Sequence, residues 1–123
     1  MSADRLDADA FERLVVEELD ALPDDAVAGL ENVVFVTEDV PDDGAPLLGR
    51  YEGTDLTHRE RYGFGELPDR IVLFRRPLLA VTRTDTELRA EVRTTLLHEI
   101  GHYYGLDDDR LGELGWGLSL IHI

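Results

Sequence analysis

Residues 98–108 read HEIGHYYGLDD. An α-helix repeats every 3.6 residues, so His98 and His102 stack one turn apart and can aim both imidazoles at one metal ion. Zinc takes such nitrogens at about 2.0–2.1 Å and needs a third protein ligand if a fourth position is to stay open. Glu99 sits about 100° round the helix from His98, where a carboxylate can serve as base for a water at that position. Gly105 tolerates the positive φ that ends a helix and turns the chain back. Asp108 is then the candidate third ligand, with Asp107 as the neighbouring alternative and Asp109 a weaker one. Histidines on a helix face are usually packing or surface residues, and an acidic triplet is commonly a helix cap. The metal reading rests on their combination with Glu99 and Gly105.

Outward from the motif, Leu88, Val92, Leu96, Leu97, Ile100 and Tyr104 keep the helical period, so a helix is expected from about Thr86 to Tyr104, capped by Thr84 or Asp85. IVLFRR upstream of it reads as a strand ended by Pro77, and NVVFVTEDV as a second, β-branched and buried. LLGRYEG suits a short strand or hairpin arm. TDLTHRERYGFGELPD holds too many breakers and charges for regular structure and is expected to be a surface loop. Near the start, Asp9 followed by Glu12 forms a capping-box pattern. Phe11, Leu14, Val15, Leu19 and Leu22 then repeat helically up to Pro23, before an acidic turn. DDDRLGEL is expected to open a short C-terminal helix.

The 123 residues fit one small domain, expected over 1–117. Residues 118–123, LSLIHI, read as a non-native tail, because the transposon end CTGTCTCTTATACACATC used in preparing sequencing libraries translates to the same six residues. His122 is therefore not counted as a ligand. The net charge is −15 and every cation is arginine, so no basic stripe exists to neutralise phosphates. Nucleic acid and anionic membranes are not expected partners. Without cysteine, neither a disulfide framework nor a thiolate metal site can form, and a metal must use histidine and carboxylate. The acidic N-terminus lacks an apolar run long enough for a signal peptide or membrane span, and a cytoplasmic location is expected.

The chemistry that follows is hydrolysis. A bound zinc would lower the pKa of a water toward about 7, and Glu99 is expected to take the proton as that water attacks a carbonyl and to pass it to the leaving amine. Tyr51, His58, Tyr62, Tyr103 and Tyr104 are candidate donors to the oxyanion. A His2Asp site would also accept iron or manganese, although this motif on a helix favours zinc.

The chain resembles the minimal zincin-like metallopeptidases, small single-domain bacterial proteins. The similarity runs through FERLVVEELDALP, NVVFVTEDVP, LLGRYEG, LPDRIVLFRRPL and HEIGHYYGLDDDRLGELG. It implies zinc on His98, His102 and Asp108, Glu99 as the catalytic residue, and a peptide or protein substrate. It also implies an α+β fold in which a short sheet packs against the N-terminal helix and the motif helix, with a short helix after them. Classical zincins hold extended peptide on an edge strand, for which IVLFR is the expected candidate. The only methionine is Met1, so the methionine turn of the metzincins is absent. The alternative functional class is a zinc-binding or protein-interaction module that keeps the site without turnover. The plainest alternative is a helix that packs and binds no metal.

Overall fold

The computed structural model describes residues 6–53 and 68–106. In chain order the elements are α1 (Ala8–Asp20), α2 (Asp24–Val27), β1 (Val33–Glu38), β2 (Gly49–Glu52), β3 (Asp69–Phe74), α3 (Arg75–Ala80) and α4 (Asp85–Tyr103). The fold is α+β, with a small three-stranded sheet in the order β1-β3-β2. The expected C-terminal helix, the loop over 54–67 and the tail over 118–123 lie outside the described residues.

β1 pairs parallel to β3, from Val33 opposite Asp69 to Glu38 opposite Phe74. β2 pairs antiparallel to β3, with Tyr51 opposite Ile71. This corrects one expectation. IVLFR cannot hold peptide as an edge strand, because both its edges are already hydrogen-bonded to neighbours. Its unbroken apolar run is the mark of a strand covered on both faces: Ile71, Val72, Leu73 and Phe74 are all fully buried. Among the described residues β2 is the outer strand on the side of α4.

Side chains alternate along a strand, so Ile71 and Leu73 point to one face of the sheet, where α1 and α4 cover them. Phe11, Leu14 and Val15 of α1 meet Leu88, Val92, Leu96 and Ile100 of α4 in that core. The four α4 residues recur every fourth position and form one stripe down the helix. Glu18, 6% exposed, fastens the two helices further: it accepts from Arg93 Nε at 3.0 Å and Arg89 Nη1 at 3.3 Å. On the opposite side of the sheet Arg70 bridges Glu38 and Glu52. The buried Arg75 holds Asp39 at 2.9 Å, a hydrogen bond that keeps the Asp39 carboxyl below the usual carboxylate range.

Local chemistry moved three boundaries. α1 starts earlier than the Asp9–Glu12 pair suggests, because Asp7 is the cap and accepts from Ala10 N at 2.8 Å. β3 ends at Phe74 rather than beside Pro77, since proline, needing no amide partner, fits inside the first turn of α3. The acidic turn after Pro23 closes into the single helical turn α2. α4 begins as its sequence implies, with Thr84 Oγ1 accepting from Glu87 N at 3.1 Å.

Candidate metal centre

α4 is buried on more than its core stripe. A second stripe of Thr95, His98, Glu99 and His102 runs beside the first, and His98 and Glu99 are only 7% and 6% exposed. Burying such groups is costly unless they are partnered, so the stripe is not an ordinary wet helix face. The His98 and His102 rings stand edge to face at 79°, and their Nε2 atoms are 3.1 Å apart. A carboxylate oxygen of Glu99 completes a group of three donors within 4.8 Å of one another.

Donor geometry tests whether zinc fits here. Two nitrogens bound tetrahedrally at zinc distances stand roughly 3.3 Å apart, close to the observed separation. A hydrogen bond between two imidazoles has a similar length. What sets this pair apart is the Glu99 carboxylate, with an oxygen in the same group of donors, all within 4.8 Å of one another. Two imidazole nitrogens at this spacing suit two of zinc's ligand positions, with the Glu99 carboxylate beside them to act on a water rather than on the metal.

The turn that follows is a Schellman cap. Gly105 has φ +83°, its amide donates to His102 O at 2.9 Å, and Leu106 N donates to Gly101 O at 3.0 Å. The helix therefore ends at Tyr103, with Tyr104 as its cap and Gly105 turning the backbone out of the helix. Asp108, Asp107 and Asp109 lie outside the described residues, so the third ligand has no placement beside the pair.

Among the oxyanion candidates, the tyrosines of the described residues are tied elsewhere. Tyr103, fully buried, accepts from Glu31 N at 3.1 Å and donates to Glu31 O at 3.4 Å. Tyr104 donates to Ala26 O at 3.3 Å, and burial pushes its phenol above the ordinary tyrosine range. Tyr51 donates to Asp69 Oδ2. These hydroxyls anchor the end of α4 and β2 to their surroundings. His58 and Tyr62 lie outside the described residues. Replacing Tyr103 by Phe is expected to cost about 1 kcal/mol, read as a lower urea midpoint, with faster amide exchange at Glu31.

Gly49 escaped the sequence reading, although a glycine inside a strand signals a close backbone approach. A Cβ at this position would stand 2.6 Å from Thr95 Cγ2, 3.0 Å from Val72 O and 3.5 Å from Glu99 Cγ. The missing side chain lets β2 rest directly on the turn of α4 that carries Glu99. Gly49→Ala is expected to force strand and helix apart and destabilise by about 1–3 kcal/mol, measured by denaturant unfolding. An unchanged midpoint would show that the contact gives way freely.

Comparisons with known proteins agree with this architecture. A family model described as zincin-like metallopeptidase matches residues 30–117. A solved structure, a conserved hypothetical protein from Thermus thermophilus, superposes with a TM-score of 0.54 at 29% identity, covering 89% of this chain and 97% of that one. No curated protein matches the chain. The family match covers more than half the chain and includes the whole of α4, the histidine pair and the turn beyond it: the chain belongs to the zincin-like metallopeptidase family.

Proposed function

We propose that the protein is a zinc-dependent peptidase that hydrolyses peptide bonds with activated water. The observation that carries this reading is that the Nε2 atoms of His98 and His102 stand 3.1 Å apart, with a Glu99 carboxylate in the same group of donors on α4, in a chain of this family. His98 and His102 would hold the zinc, with Asp108 as the third ligand delivered by the Gly105 turn. A bound zinc would supply Lewis-acid polarisation of the scissile carbonyl and acidify a water molecule. Glu99 accepts the proton of the attacking water on its carboxylate and returns it to the leaving amine nitrogen. Burial of Glu99 against Gly49 limits its rotamers and keeps that carboxylate beside the imidazoles.

β2 is the natural platform for substrate. Among the described residues it is the outer strand next to Glu99, and an extended peptide added to it would run past the carboxylate. The substrate class is a peptide or protein, not nucleic acid or lipid. No helix among the described residues is long and apolar enough to cross a membrane; the cytoplasmic location is proposed from the sequence alone.

The test is zinc content of the purified chain together with cleavage of a mixed peptide library, with and without chelator. One zinc per chain and cleavage abolished by chelator are expected. Cleavage that persists in the metal-free chain would sink the reading.

A further inference from the structure

The opposite edge of the sheet carries a second surface. β1 is hydrogen-bonded to β3 along one side, and no strand among the described residues covers the other. Asp69 N donates to Asn32 O, so parallel pairing directs the backbone groups of Asn32, Val34 and Val36 toward β3. By alternation the N–H and C=O of Val33, Phe35 and Thr37 point out of the open edge. An edge strand normally protects itself with lysine, proline, a bulge or an inward charge. The first five residues of β1, Val33 to Thr37, have none of these, and Val34 is 40% exposed.

α1 overhangs this edge and leaves a groove. Val15, Val16 and Leu19 form one wall; Phe35, Val36 and Thr37 form the other. Three consecutive strand residues alternate between the sheet's faces, so a groove touching all three runs along the strand's edge. Glu12 lines this groove as well, and a second hollow on α1 that shares Glu12 and Val16 with it is lined by Asp9, Arg13 and Glu17. Val16, 48% exposed, is an apolar centre within a rim of three acids and one arginine.

We infer that this groove is a docking site for an extended, cationic segment of a partner protein, which adds as a strand to β1. Its backbone pairs with Val33, Phe35 and Thr37, its apolar side chains pack on Val16, Leu19 and Phe35, and its arginines or lysines face Asp9 and Glu12. Charge selects this occupant over a second copy of the chain. At a net charge of −15, two copies joined at this edge would bring acidic rims together. The site is independent of the metal centre, since β1 and β2 are opposite edges of the sheet.

The experiment titrates the full-length chain with short peptides of alternating valine and arginine, or valine and glutamate, followed by fluorescence anisotropy. The arginine peptide is expected to bind, more weakly as salt rises, and the glutamate peptide at least about 10-fold more weakly. Thr37→Pro removes an outward N–H while sparing the β3 ladder, and is expected to weaken binding by at least about 10-fold. Val16→Arg, on a half-exposed position of α1, is expected to do the same without touching the strand, so the test survives a Thr37→Pro chain that fails to fold. Equal binding of both peptides, binding unchanged by Val16→Arg, or no binding at millimolar peptide overturns the proposal. So does a wild-type dimer in sedimentation that Val16→Arg dissociates, which would give the edge to a second copy.

Discussion

Glu99→Gln is expected to retain zinc and lose peptide hydrolysis by about 10²–10⁴-fold, the range a positioned general base contributes. Gln keeps the shape and polarity of Glu, so the packing against Gly49 survives. Its amide cannot accept the proton of the attacking water or hold one for the leaving amine. The loss should therefore fall on kcat more than on KM, because binding along β2 does not use the lost proton transfer. The variant also separates the two functional classes. A non-catalytic zinc-binding module would show wild type and Glu99→Gln with equal zinc and equally absent cleavage.

His98→Ala is expected to lower zinc affinity by more than about 100-fold, beyond the usual loss from removing a residue that merely orients a ligand. Hydrolysis should fall to background with it. His98 is 7% exposed, so its removal also leaves a space in the α4 stripe, and part of any unfolding effect comes from packing. Comparing unfolding with and without added zinc divides the two contributions. Zinc bound only to the folded wild type raises its stability by linkage, whereas His98→Ala should gain little. If added zinc raised the midpoints of both chains equally, the ion would be binding elsewhere.

The motif helix was legible because several local signals agree. The stripe of Leu88, Val92, Leu96 and Ile100, the Thr84 cap and the Gly105 stop each name part of α4, and each is present. The pairing of His98 with His102 follows from helical geometry alone, which is why their convergence was foreseeable. Strand order was less legible, since hydrophobic pattern says how a strand is buried but not which strands flank it. The pattern still held a clue. A continuous apolar run such as Ile71–Phe74 suits a strand covered on both faces, while the short, charged GRYE suits an edge. The anchoring contacts of Tyr103 and Tyr104 were illegible because their partners are backbone groups distant in sequence, Glu31 and Ala26. The third ligand was proposed from spacing after a glycine stop. The Schellman cap ends the helix at the glycine, as that spacing assumed.

X-ray absorption at the zinc edge of the purified chain tests the central claim most directly. The account predicts one zinc with two histidine nitrogens at about 2.0–2.1 Å and carboxylate or water oxygen at similar distance, with the histidine scattering lost in His98→Ala. A zinc coordinated without histidine, or a wild-type chain that takes up no zinc at all, would contradict it.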